Sequence, residues 1–229
     1  MIAVLVPAHD EEQLIAACLR SVLVAAGAPG LYGEEVRVVV ALDRCTDGTG
    51  GIVDALGVDS VVVDRGNVGA ARGAAAEHAI ALGARWLATT DADSLVPPDW
   101  LVAQLAHGGD AFCGIVTVAD WRGYPPTMAI AFAGTTVAGD GHPHVHGANL
   151  GISVEAYRRC GGFAALALSE DVALIEAAMA VELCIARKAH PSVVTSARRD
   201  ARASGGFSDY LRAMEQVLAG NGGIPVAGN

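Results

Sequence analysis

The first 95 residues alternate short, mostly apolar runs with helical segments, and this alternation constrains the fold more than any other feature. Ile2 to Val6, Val36 to Leu42, Ser60 to Val63 and Arg85 to Thr90 have the length and apolar content of buried strands. Between them, Glu11 to Ala26 carries Leu14, Cys18, Val22 and Ala25 at helical spacing. Ile52 to Leu56 begins a short helix, and Asn67-Val68-Gly69 turns into a helix over Ala70 to Leu82. Strands separated by helices pair in parallel, with the helices on both faces of the sheet. The chain is therefore expected to be α/β, Rossmann-like, with a mostly parallel central sheet.

The second half is less regular. Helices are expected over Trp100 to Ala106, Pro126 to Val137, Ser153 to Cys160 and Glu170 to Ala180. Strand-like runs lie at Ala111 to Ala119, Glu182 to Ala186 and near Val193, and Asp140 to Gly151 reads as a loop rich in His and Gly. No linker or repeat divides the chain, so 1–229 reads as one domain: a first half to 95, a second half over 96–212 and a tail over 213–229, Gly-rich and frayed from Asn221.

Composition narrows the class. Hydrophobic residues make up 52% of the chain and aromatics only 5%, the balance of Val-rich strands and Ala-rich helices. A net charge of -10 argues against a nucleic-acid partner. Five scattered cysteines without a CxxC pair read as reduced thiols in a cytoplasmic protein. The start, Met1 to Pro7, has no basic region and reads as a strand. The longest uncharged internal stretch, Gly123 to Gly139, is too short and too broken to span a membrane. Its helix, Pro126 to Val137, is apolar enough to shelter a lipid-linked acceptor or form a homodimer face, and core packing explains it equally well.

Ligands of an open parallel sheet bind beyond the carboxyl ends of its strands. Each polar cluster of the first half falls there: Pro7 to Glu12, Asp43 to Asp47, Asn67 to Arg72, and Asp91-Ala92-Asp93. Singly these suit caps and turns, Asp10 as a cap for the first helix among them. Jointly they outline a site. Two carboxylates two residues apart at a strand end repel each other unless a cation sits between them, so Asp91 and Asp93 suggest a hard divalent metal beside a phosphate-bearing ligand.

These segments resemble glycosyltransferase family 2 in order and approximate spacing. Two later segments extend the match: His146-Gly147-Ala148-Asn149-Leu150-Gly151-Ile152 leading to Gly161-Gly162-Phe163, and Ser169-Glu170-Asp171. The resemblance covers about residues 1 to 212 and implies a GT-A fold, with a nucleotide-sugar donor on the first half and an acceptor on the second. By that resemblance Pro7, Ala8 and Glu11 line base and ribose, Asp43 meets the nucleobase, and Asn67 and Arg72 approach the nucleotide. Asp91-Ala92-Asp93 is then the family's DxD motif, with Asp91 on ribose or metal and Asp93 on Mn²⁺ or Mg²⁺ with the diphosphate. Asp171 matches the catalytic base of an inverting transfer and Glu170 its companion. Ser169-Glu170-Asp171 also has the composition of a helix start.

The sequence departs from the family pattern at Asp10, where Asn is common, and at Leu42-Asp43, where two acids are common, so uridine is the first choice of base and no more. The Gln-x-x-Arg-Trp signature of processive synthases is absent, which favours transfer of a single sugar to a small-molecule or lipid-linked hydroxyl. Arg198 and Arg199 are placed to clamp a diphosphate or to sit in a solvated loop. His142, His144 and His146 share one face if extended, with His146 and Asn149 as acceptor-site candidates. Trp100 and Trp121 are read as core, and Cys45 as unactivated. The rival readings are a non-catalytic nucleotide-sugar-binding relative and a sugar-nucleotide pyrophosphorylase. The latter needs a basic Gly-rich loop after the first strand, where this chain has Pro7 to Glu12; a dinucleotide oxidoreductase fails for want of GxGxxG there.

Overall fold

A computed structural model describes residues 1–220 apart from 122, 136, 138 and 201–204. In chain order the elements are β1 (Ile2–Ala8), α1 (Ile15–Ala26), β2 (Val36–Asp43), α2 (Thr49–Ala55), β3 (Asp59–Val63), α3 (Val68–Ala81) and β4 (Trp86–Thr89). Then follow α4 (Trp100–Ala106), β5 (Ala111–Val118), α5 (Thr127–Thr135), β6 (Leu150–Ser153), α6 (Val154–Arg159), α7 (Glu170–Ala180), β7 (Ile185–Thr195) and α8 (Phe207–Ala219).

The strands form one sheet in the order β3-β2-β1-β4-β6-β5-β7. Only β6 runs antiparallel to its neighbours, β4 and β5. The period of two in β1 builds the two cores. Ile2, Val4 and Val6 face α1 and α4, meeting Ile15, Cys18, Leu19, Trp100 and Leu101. Ala3 and Leu5 face α3 and α7, meeting Ala71, Ala75, Ala79, Leu174 and Ile175. Ile2, Val4, Leu5 and Val6 have no exposed surface, and each such side chain contributes about 1.5–3 kcal/mol by leaving water.

The first half follows the sequence reading to within a few residues at the element ends. The second half differs in three places. Leu150–Ser153, inside the expected loop, is strand β6. Four residues are too short for a period to show, and its pairing between β4 and β5 is a tertiary event. The two expected strands near 182–186 and 193 are one strand, β7. Residues 207–219 form an amphipathic helix, α8, which runs across the expected tail start at 213. Its Leu211 and Met214 pack with Met128 and Ala131 of α5 in a small third core that also takes Tyr124 and Trp121. The tail from Asn221 lies outside the described residues. No helix among the described residues is long and apolar enough to cross a membrane.

Asn149 is a further correction. Expected beside the acceptor, it is fully buried with its amide spent on the fold. Its Oδ1 accepts the Trp100 indole N–H at 2.9 Å, and its Nδ2 donates to the Ile115 and Pro191 carbonyls at 2.9 and 2.8 Å. It joins α4, β5 and β7 behind the site. Asn149→Ala leaves these partners unsatisfied, at a cost of about 2–4 kcal/mol. Differential scanning calorimetry should show Tm lower by about 5–10 °C; an unchanged Tm would refute this role.

Candidate active site

The carboxyl ends of β1, β2 and β4 form one rim, and the first turns of α3 and α7 reach the same place. Two arginines organise it, Arg72 buried and Arg198 half-buried. On one side, Arg198, just after β7, holds Glu11 through two hydrogen bonds of 2.7 Å and reaches Asp93 at 3.2 Å. On the other, Arg72 of α3 binds Asp91 beyond β4 and Glu170 at the start of α7. Glu11, Arg72 and Glu170 are all buried. The rim thus joins three acids of the first half to two of the second, Glu170 and Asp171.

The acids repel one another in a poorly solvated place. Burial pushes the Asp93 carboxyl up to about 6, Arg198 pulls it down, and Asp91 and Glu11 add to the rise. Desolvation at the cleft floor also raises Asp91, against the pull of Arg72 and with a further push from Asp171. Asp171 lies in the first turn of α7, after a left-handed Ser169 that makes no side-chain cap. Its Oδ2 accepts the Gly147 N–H at 2.6 Å and its Oδ1 the Val172 N–H at 2.8 Å. Gly147 is in turn fixed by Thr89 of β4, whose hydroxyl donates to its carbonyl.

Several expected ligands make hydrogen bonds that organise the rim. Asp43 accepts N–H bonds from Arg65, Gly66 and Asn67 at 2.8–2.9 Å, shaping the turn that starts α3. Burial opposes its charge, yet these donors hold its carboxyl below the usual range. Asp10 does not cap α1, whose N-cap is Leu14. It adopts a left-handed conformation and accepts the Thr46 and Asp47 N–H groups, tying down the β2–α2 loop. Asn67 caps α3 through Ala70 at 2.9 Å and donates to the Ala165 carbonyl at 3.1 Å. Pro7 is half-buried at the end of β1, whereas Ala8 and Ala92 are buried in the core beneath the rim.

The two adjacent arginines part company. Arg198 faces the acids, whereas Arg199 pairs with Glu215 of α8 at 2.5 Å, stacks on Tyr124 at 4.6 Å and donates to the Gly123 carbonyl. It fastens α8 to the loop before α5 and is no part of the rim. The histidines do share a face: His142 stacks on His144 and His144 on His146, with centroids 5.6 and 5.7 Å apart. Burial, reinforced by the neighbouring His144, pushes His146 down to about 4 against the pull of Asp171, so it stands neutral beside that carboxylate at pH 7. Trp100 is core, and burial raises the Cys45 thiol, which donates to the Ala8 carbonyl at 3.3 Å. The roles of Gly147 and Thr89, and the Glu11–Arg198 pair, were not foreseen. Gly147 stands in a quoted motif, but no local signal links residues 187 positions apart.

A divalent metal fits the chemistry of this donor set only as an open site. Among the described residues no three His, Cys, Asp or Glu side chains close around one ion. Asp91 and Asp93 offer hard oxygens, and Mg²⁺-type ions are commonly held by one or two carboxylates with substrate phosphates and water completing the shell. Burial and the neighbouring Asp91 and Glu11 raise Asp93, and a cation beside it would lower it again.

Residues 3–161 match the family model for Glycosyl transferase family 2. No curated protein matches the sequence. Among solved structures, S. aureus TarS 1–349 in complex with UDP-GlcNAc is similar at 19% identity and TM-score 0.66, over 94% of this chain and 66% of that one. Mannosyltransferase PcManGT from Pyrobaculum calidifontis, with GDP-Man and Mn²⁺, gives 19%, 0.65, 98% and 65%. M. tuberculosis glucosyl-3-phosphoglycerate synthase, with Mn²⁺, UDP and phosphoglyceric acid, gives 22%, 0.59, 100% and 80%. The chain spans 60% of the length of another TarS 1–349 structure. These likenesses establish the GT-A fold.

Asp93 carries a testable cost. Its folded value of about 6 lies above the ordinary 3.8, so the native state binds the extra proton between those values and stability falls as pH rises through them. The full penalty is present above about pH 6. Ligand-free Asp93→Asn should therefore melt about 2–6 °C higher than wild type at pH 7.5, the gap closing toward pH 4. A lower Tm at pH 7.5 would show that the Arg198 pair outweighs burial.

Proposed function

Since this chain belongs to glycosyl transferase family 2, we propose that it moves a single sugar from a nucleotide-diphosphate sugar, UDP-linked by first choice, to an acceptor hydroxyl with inversion. The observation that carries this reading is the convergence of Asp91 and Asp93 from the end of β4 with Asp171 from the start of α7, joined through Arg72 and Gly147. A strand-end acid pair alone could be a turn, and a helix-start acid alone a dipole partner. Together on one rim they supply both halves of a displacement.

In this reading Pro7, Ala8 and Glu11 bound the base and ribose, on a floor shaped by the turn that Asp43 organises. Asp93, with Asp91 beside it, holds Mn²⁺ or Mg²⁺. When bound, the ion neutralises the charge that develops on the departing diphosphate. Arg198, already beside Asp93, brings a second positive charge to the same oxygens. Asp171 accepts the proton from the acceptor hydroxyl as it attacks the face of the sugar opposite the leaving group. Gly147 and Val172 hold this carboxylate by one N–H on each oxygen, which leaves a lone pair for that proton. The structures solved with UDP-GlcNAc, or with GDP-Man and Mn²⁺, support a nucleotide-sugar donor and a metal. The sequence carries no Gln-x-x-Arg-Trp, which supports single transfer, and its five free cysteines support a cytoplasmic setting.

Calorimetry with UDP and turnover of UDP-sugars test the two halves separately. Asp93→Ala should abolish the Mn²⁺-dependent gain in UDP affinity. Asp171→Asn should bind UDP within about threefold of wild type yet lose about 10²–10⁴-fold in turnover. Unchanged Mn²⁺-linked affinity in the first, or full turnover in the second, would contradict the assignment.

A further inference from the structure

We propose that Arg72 is a positioning residue for the base Asp171 and not a ligand of the nucleotide, an inference that rests on the transferase reading above. A nucleotide-binding arginine offers its donors to the cleft. Arg72 does not: its guanidinium is buried, one terminal nitrogen is bound to Asp91 and the other to Glu170. Both terminal nitrogens are thus engaged by protein acids, and its Nε is buried with no hydrogen-bond partner.

What the guanidinium touches explains its use. The Gly147 backbone lies against its face so closely that a Cβ at 147 would overlap Cζ and both terminal nitrogens. That same Gly147 donates its N–H to Asp171 Oδ2. Its carbonyl, on the following peptide unit, accepts the Thr89 hydroxyl, which restrains residue 147 from the other side. Arg72 is therefore the plate on which the 147 peptide rests, and that peptide sets the position of the base carboxylate. Through Glu170, adjacent to Asp171 in the chain, Arg72 also fixes the first turn of α7. The charges fit this role. Asp171 interacts electrostatically with Asp91 beyond β4, neutral His146 and Cys113 of β5, and Glu170 precedes it on the helix. Arg72 is the cation bound directly to two of those acids, and a planar fork can serve both at once where an ammonium cannot.

The test compares wild type, Arg72→Lys, Arg72→Met and Gly147→Ala. Each is assayed below its Tm, with active sites counted from the stoichiometry of UDP binding in the presence of Mn²⁺. Gly147→Ala changes no charge and displaces the guanidinium, so it carries the test if the Arg72 variants do not fold. The expected result is a fall in kcat of about 10²-fold or more per UDP-binding site, since a misplaced group about 1 Å from its productive position costs on that order. UDP affinity should stay within about threefold, as for a residue that makes no ground-state contact with the donor. Arg72→Lys should recover little of the loss seen in Arg72→Met.

A loss of UDP affinity of tenfold or more with kcat per site preserved would make Arg72 a nucleotide ligand and overturn the inference. Full kcat per site in the folded variants, with only Tm lowered, would make it purely structural and overturn it equally. Both results leave the transferase reading standing, because wild type still turns over. Wild type that binds UDP and transfers no sugar to acceptor or water removes the transferase reading itself, and the inference with it.

Discussion

A guanidinium almost cut off from water, held between an acid of the first half and an acid of the second, is the interaction on which the rest of the rim depends. Taking such a charge out of water costs several kcal/mol, and the cost is offset only while both partners and their geometry are kept. Arg72 therefore constrains three elements at once: α3, which carries it, the exit of β4 at Asp91, and the first turn of α7 at Glu170. Gly69 shows how closely these parts are fitted. A Cβ there would run into the backbone of the 164–166 loop, whose Leu166 carbonyl accepts the Gly69 N–H at 3.0 Å. The loop leading to Asp171 is thus seated on the helix that carries the arginine.

Arg198 repeats the arrangement on the other side, with Glu11 and Asp93 as its acids. Five carboxylates and two guanidiniums leave an excess of negative charge in a cleft that solvates it poorly, and the raised Asp93 registers that imbalance. In the proposed reading a divalent ion bound at Asp91 and Asp93 would offset that charge. The fold makes the arrangement affordable because the sheet behind it is apolar on both faces, with Asn149 joining three elements where β6 reverses direction.

Much of this was legible in the sequence, for local reasons. The strands β1 to β4 announce themselves by Val-rich runs, α3 by its Ala content, and the rim by polar residues at each strand end. The structure brings the acids Asp91, Asp93, Glu170 and Asp171 to one rim, and each stands in a motif that is a local object. What escaped was non-local. The direction of β6 is decided by its neighbours, and the length of β7 by its pairing with β5. The choice between Arg198 and Arg199 turns on which faces Glu11 and which faces Glu215, residues far away in opposite directions along the chain. Asp43, Asn67 and Asn149 were read as ligands because a polar residue near a site looks the same whether it serves the substrate or the backbone. Hydrogen-bond partners separate the two.

The stereochemistry of transfer tests the central claim most directly. Real-time proton NMR of an α-linked UDP-sugar with Mn²⁺, following the anomeric proton of the first product, distinguishes the two outcomes before any mutarotation. A carboxylate opposite the leaving group, as Asp171 is assigned, requires the β-anomer to appear first. An α-anomer, formed with retention, would contradict the account and leave Asp171 without the role given to it.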